Sequence, residues 1–132
     1  MTDVVVGASA LIAIVRGETT AGWLRERVLE AGRRLMAAPT FVEVGVVLSA
    51  RSTDPMLYQQ AVRDAEVTVT PFDQAMADRA VRAWQRFGKG RHAAALNFGD
   101  CCTYALAEET GLPILCVGDD FARTALPVLR PE

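Results

Sequence analysis

Val4-Val5-Val6 is the stretch that most narrows the folds open to this chain, because three successive β-branched residues leave no polar face for water. A strand with one solvated side alternates apolar with polar residues. A continuous apolar run belongs instead to a strand covered on both faces, as in a parallel sheet flanked by helices. Ala8 to Val15 continues in residues that favour a helix, so the start of the chain predicts a strand, a junction at Gly7 and a helix. The stretch does not read as a secretory leader, since no basic residue precedes it, Ser9 interrupts it and no cleavage pattern stands before Arg16. No segment reaches the roughly 18 apolar residues of a membrane span. A soluble protein without membrane contact is expected.

The alternation continues. Thr19 and Thr20 precede Trp23, Leu24, Arg27, Val28 and Ala31, whose helical spacing ends near Gly32, and Leu35 to Ala38 reads as a second strand. Thr40-Phe41-Val42-Glu43 opens a helix to about Ala50, and a further helix with Leu57, Ala61 and Ala65 is expected after Pro55. Val67-Thr68-Val69-Thr70 is a strand by its β-branching, and from Asp73 a helix carries Ala77, Ala80, Val81 and Trp84 on one face before stopping in Gly88-Lys89-Gly90. Asp100 starts a helix through Leu106 to Gly111, Pro113 leads into the strand Ile114 to Val117, and Val128-Leu129 closes the sheet. The pattern predicts an α/β protein of three layers, helices on both faces of a mostly parallel central sheet. With 132 residues, 51% of them hydrophobic, the chain suffices for a single domain over 1–132 with a real core and is too short for two.

In such a sheet the carboxyl ends of the strands and the starts of the following helices share one edge, so polar residues at those junctions converge. Here the junctions hold Glu43, Asp100 and the Asp119-Asp120 pair. Carboxylates gathered together repel one another unless a cation offsets them, and oxygen-only ligands suit Mg²⁺ or Mn²⁺, which can support phosphodiester hydrolysis. A plainer explanation stands beside this one. Thr40-x-x-Glu43 is also a capping box, and Asp100, Asp119, Asp120 and Ser9 could each cap a helix.

The flanking residues carry a resemblance. Gly7-Ala8-Ser9-Ala10-Leu11 after a strand resembles the Asp-x-Ser-Ala-Leu opening of PIN domains, and Thr40-Phe41-Val42-Glu43 resembles their second motif. Phe87-Gly88-Lys89-Gly90-Arg91-His92, followed by Leu96-Asn97-Phe98-Gly99-Asp100-Cys101, is similar to the third motif of one subgroup of the VapC ribonuclease toxins. Gly118-Asp119-Asp120-Phe121 resembles the fourth. The resemblance spans nearly the whole chain and implies a PIN-like fold and a cytoplasmic, Mg²⁺- or Mn²⁺-dependent endoribonuclease toxin. It further implies a homodimer restrained by a VapB-type antitoxin. Glu43, Asp100 and Asp119 would be catalytic, Asp120 a further metal ligand, and Ser9 and Thr124 supporting hydrogen-bonding groups. Two positions depart from the pattern. Gly7 stands where the family carries its first catalytic aspartate, and Ala125 follows Thr124 where an aspartate is common. Asp3 cannot stand in for the first, because four residues of extended strand span about 13 Å.

With 16 acidic against 14 basic residues the net charge of −2 gives no global attraction for nucleic acid, so an RNA substrate needs a local patch. One is available. No acid lies between Arg79 and Gly99, where Arg79, Arg82, Arg86, Lys89, Arg91 and His92 all fall, and Arg86, Lys89, Arg91 and His92 are the candidate RNA contacts. A solvated helix face with a basic last turn explains the same run. Other chemistries fit less well: His92 is the only histidine, a nucleophile elbow would need a second glycine after Ser9, and Gly88-Lys89-Gly90 lacks a full phosphate-loop pattern. Cys101, Cys102 and Cys116 form an odd set suited to neither disulfides nor zinc, consistent with a reducing compartment and with core positions. Two functions follow, an attenuated metal-dependent endoribonuclease lacking one ligand at Gly7, or a non-catalytic module that binds RNA or an antitoxin.

Overall fold

The computed structural model describes residues 2–51, 54 and 56–132. Strands β1 (Val4–Val6), β2 (Arg34–Ala37), β3 (Thr68–Thr70), β4 (Ile114–Leu115) and β5 (Val128–Leu129) form one sheet in the order β3-β2-β1-β4-β5, every pairing parallel. Helices α1 (Ala8–Arg16), α2 (Ala21–Glu30), α3 (Ala38–Arg51), α4 (Leu57–Asp64), α5 (Gln74–Phe87) and α6 (Phe98–Thr110) supply the crossovers. Pro55, expected to lead into α4, lies outside the described residues.

The pleat of β1 divides the core. Val4 and Val6 point into one apolar cluster with Leu11, Leu24, Met36 and Val44, while Val5 joins another with Phe87, Leu96, Tyr104 and Ile114. This is the three-layer α/β/α arrangement predicted from the valine run. Leu24 is fully buried, so Leu24→Ala should cost roughly 2–5 kcal/mol of stability.

Several boundaries shift by a residue or two from expectation, and three of them bear on the site. Helix α3 begins at Ala38, two residues before Thr40, with Pro39 in its first turn, where a missing N–H costs nothing. Thr40 is therefore no cap. Its hydroxyl is fully buried and shares a hydrogen bond of 3.0 Å with the Thr103 hydroxyl of α6, so the capping-box explanation of Thr40 and Glu43 fails. Helix α6 begins at Phe98, with Asn97 as its cap and Asp100 in its first turn. Strand β4 stops at Leu115 rather than Val117, because Val117 N–H donates to Ser9 Oγ (2.9 Å) instead of to another strand.

Candidate active site

Strand β1 is the point where the sheet changes direction, since the chain builds outward to β2 and β3 on one side and then to β4 and β5 on the other. Ligands of open α/β sheets bind in the crevice beyond the carboxyl ends of the strands at such a point. Gly7 lies at that end of β1 and caps α1 without a side chain, its N–H donating to Leu115 O at 2.9 Å. Its backbone is extended (φ −77°, ψ 158°), so any residue fits there conformationally. A Cβ would stand 3.2 Å from Leu115 O and 3.7 Å from Cys116 Cβ, a tight fit at the end of β4 in which the Leu115 carbonyl must give by a few tenths of an ångström. Ser9, two residues further and inside α1, is no helix cap. Its Oγ accepts from Val117 N–H and lies 3.4 Å from Val117 O, locking α1 to the segment that leads into Asp119 and Asp120.

Glu43 comes from α3 and Asp100 from α6, and the Asp100 charge is felt at Glu43. Burial pushes the Glu43 carboxyl above its ordinary pKa, and the Asp100 charge adds to the rise. Asp100 is also raised, first by burial and further by Asp120, against the lowering effect of a hydrogen bond from Asn97 N–H. Asp100 Oδ2 accepts that bond at 3.1 Å while Asp100 N–H donates to Asn97 Oδ1 at 2.8 Å, a complete capping box. Asp100 thus caps its helix and contributes negative charge to the crevice at once. The two Asp residues after β4 part company. The charge of Asp120 reaches Asp100 and Cys116, whereas Asp119 accepts from Arg123 Nη2 at 2.9 Å. Asp120 precedes the short 3₁₀ turn Phe121–Arg123 but makes no side-chain cap. Thr124 Oγ1 donates to Phe121 O at 2.6 Å and closes that turn.

Among the described residues, no three or more His, Cys, Asp or Glu side chains stand close enough together to hold a metal ion. The expected single pocket of Glu43, Asp100 and Asp119 or Asp120 is therefore a chain of neighbours, Glu43 to Asp100 to Asp120, rather than a closed cage. Local partners account for this, since Asp100 is tied to Asn97, Asp119 to Arg123, and Gly7 offers nothing. The donors, all oxygen and two of them half-buried with raised pKa values, fit a hard divalent cation in kind. In number they fall short by the carboxylate that Gly7 lacks.

The basic segment folds into an ordered loop after α5. Gly88 is required there, as a Cβ would strike Trp84 O, and the loop closes through Leu96 N–H to Phe87 O (2.9 Å) and Lys89 N–H to Leu96 O (3.0 Å). The Arg86 guanidinium sits 4.7 Å from the Phe87 ring centre, and that of Arg91 4.8 Å from Trp84. His92 packs edge-on against Phe87 and accepts from Ala94 N–H through Nδ1 at 2.9 Å, which gives it a part in shaping the loop. Lys89 is exposed. Arg79 is taken by Glu108 and Glu109, both at 2.8 Å, so the positive region is narrower than the sequence implied. A groove of about 360 Å³ lined by Pro39, Val42, Glu43, Phe98 and Gly99 meets, at Pro39 and Phe98, a second of about 500 Å³ that includes Val81 and Trp84. The glutamate and the Arg91-stacked tryptophan thus border one continuous surface.

The cysteines are core residues. Burial pushes the thiols of Cys101, Cys102 and Cys116 up to about 11, the wrong direction for nucleophiles. Asn97, Gly99, Thr103 and Arg123 were missed as site neighbours. Asn97-x-x-Asp100 is itself a cap pattern that could have revealed the first.

Likeness to known proteins bears on this geometry. The PIN domain model matches residues 4–126. Ribonuclease VapC36 of Mycobacterium tuberculosis is 39% identical over 125 residues, covering 92% of this chain and 90% of the relative. The crystal structure of M. tuberculosis VapC20, described as a sarcin-ricin loop cleaving toxin, superposes with a TM-score of 0.78 at 16% identity over 98% of this chain and 100% of that one. A toxin–antitoxin complex from Klebsiella pneumoniae superposes at 0.72 with 20% identity over 98% of each chain.

Proposed function

Because the chain belongs to the PIN-domain family of VapC ribonucleases, we propose that it is the toxin of a type II toxin–antitoxin pair, a divalent-metal-dependent endoribonuclease built as a single domain. The observation that carries this is the pairing of Glu43 and Asp100, acids from different helices whose pKa values are both raised at the switch point of the sheet. Glu43, Asp100 and Asp120 would hold Mg²⁺ or Mn²⁺, with Asp119 set aside by its pairing to Arg123. When bound, the metal would supply an activated water and charge neutralisation at the scissile phosphate.

The remaining residues bind and orient. Lys89, with Arg86 and Arg91 on their aromatic supports, would hold the RNA backbone through phosphate contacts, while His92 shapes the loop that presents them. Ser9 and Thr124 would fix the turns that carry the acids. The antitoxin and a second copy of the chain would use the exposed apolar surfaces. One is the groove of about 330 Å³ between α1, α2 and α4, including Ile14, Leu29 and Leu57; the other is the face with Val42, Val46, Val81, Trp84 and Phe98. No described helix is long and apolar enough to cross a membrane, and the proposed location is the cytoplasm, where a toxin would meet its RNA.

A specific observation favours a second reading. Gly7 brings no carboxylate and no three acids stand within chelating distance among the described residues, as expected of a module that binds RNA or antitoxin without cutting. Incubating the chain with RNA in Mg²⁺ or Mn²⁺, with a chelator control, separates the two. Products that need the divalent ion support the nuclease; retention of RNA without products supports the module.

A further inference from the structure

Glu43 and Asp100 belong to different helices, so their spacing depends on how α3 and α6 meet. On α6, Gly99 and Thr103 are four residues apart and share a face; on α3, Thr40 and Glu43 are three apart and share another. These faces oppose each other. The Thr40 and Thr103 hydroxyls lie 3.0 Å apart with exposures of 0% and 2%, so neither can exchange its partner for bulk water. One turn toward the site, a Cβ on Gly99 would overlap the Glu43 carboxylate, falling 2.6 Å from its Cδ and 2.9 Å from Oε2.

We propose that Gly99 and the Thr40–Thr103 pair are positioning residues, a two-point seat that lays the Glu43 carboxylate on the first turn of α6 beside Asp100. The seat deepens the reading of Glu43 and Asp100 as metal-holding acids and rests on it. Glycine inside a helix is otherwise a poor choice, since alanine is the better helix former. Its value here is the empty space. The end of a glutamate is flexible, so Gly99→Ala should leave the fold intact and simply turn the carboxylate away. The hydroxyl pair fixes the register, because a buried hydrogen bond between the two helices is kept only while they hold one arrangement.

The test uses the whole chain and Mn²⁺ as the probe. In a Gly7→Asp background, Gly99→Ala should weaken Mn²⁺ binding, read by electron paramagnetic resonance, by about tenfold or more, as expected for loss of a supporting group. Its melting temperature should stay equal or rise. Thr103→Val should also weaken binding and Thr103→Ser restore it, while in a Gly7→Asp, Glu43→Ala background Gly99→Ala should have no further effect. Unchanged affinity on Gly99→Ala, or an equal loss without Glu43, would overturn the seat. If Gly7→Asp binds no Mn²⁺ at all, it is the metal reading that fails. The seat is then decided in the native chain by nuclear Overhauser contacts between the Gly99 α-protons and the Glu43 γ-methylene: their presence supports it, and their absence overturns it.

Discussion

The two ends of strand β1 hold acids in opposite states. At the amino end Asp3 accepts from Arg33 N–H at 2.7 Å and from Arg33 Nε at 2.9 Å, and these bonds hold its carboxyl below the ordinary value. At the carboxyl end Glu43 and Asp100 are half-buried, form no ion pair among the described residues, and are both raised. Asp3 is matched by its surroundings, whereas Glu43 and Asp100 are left with charge that something else must balance, as the proposed metal-holding role requires. The contrast also explains why Asp3 cannot replace the acid missing at Gly7. It is fully engaged elsewhere.

The contrast can be broken most severely at Gly7. Gly7→Asp should increase divalent-dependent RNA cleavage by about a hundredfold or more, the scale on which a misplaced reacting group costs rate. The extended backbone allows the change once the Leu115 carbonyl gives by a few tenths of an ångström. Asp100→Asn in that background should abolish the gain while keeping the helix cap, since asparagine can also accept from Asn97 N–H.

A smaller effect is expected in the basic loop. Replacing Arg86, Lys89 and Arg91 by glutamine should weaken RNA binding and flatten its salt dependence by roughly 0.7 log units for each RNA phosphate that is no longer neutralised. An unchanged slope would return these residues to a solvated helix end and leave the carboxylates without a substrate-holding partner.

The smallest effects lie in stability against pH, and they should have opposite signs at the two ends. For Glu43 the folded pKa is raised, so the unfolded chain ionises first. Native stability is then lost as pH rises above the unfolded value of 4.5, and Glu43→Gln should be the more stable protein at pH 7 without metal but equal to the native chain at pH 3.5. For Asp3 the folded pKa is lowered, so its contribution is present above 3.8 and lost as pH falls through the folded value. Asp3→Asn should therefore be less stable than the native chain at pH 7, with the gap closing in acid. Thermal melts at several pH values check both signs.

Much of this was legible in the chain because burial leaves a periodic trace. The valine run announced the central strand, and β-branching and helical spacing gave the other elements to within a few residues. The site was legible in residue type but not in arrangement. Thr40-x-x-Glu43 has the spacing of a capping box, and only the start of α3 at Ala38 shows that Thr40 faces α6 instead. Asp119 and Asp120 are adjacent, so no pattern says which turns toward Asp100; the i,i+4 partner Arg123 claims the first. Gly99 stands in the run that resembles the third motif, but nothing in the sequence says that it gives room to a side chain from another helix.

If Glu43, Asp100 and Asp120 form a metal site short of one ligand at Gly7, restoring that ligand must restore affinity. Calorimetric titration of Mn²⁺ into the native chain, Gly7→Asp, and Gly7→Asp with Asp100→Asn reads this without depending on the RNA substrate. Binding to the native chain should be weak or negligible, Gly7→Asp should tighten it at least about tenfold, and adding Asp100→Asn should remove that gain. A folded Gly7→Asp protein that binds Mn²⁺ no better than the native chain would show that these acids are not a metal site lacking one ligand.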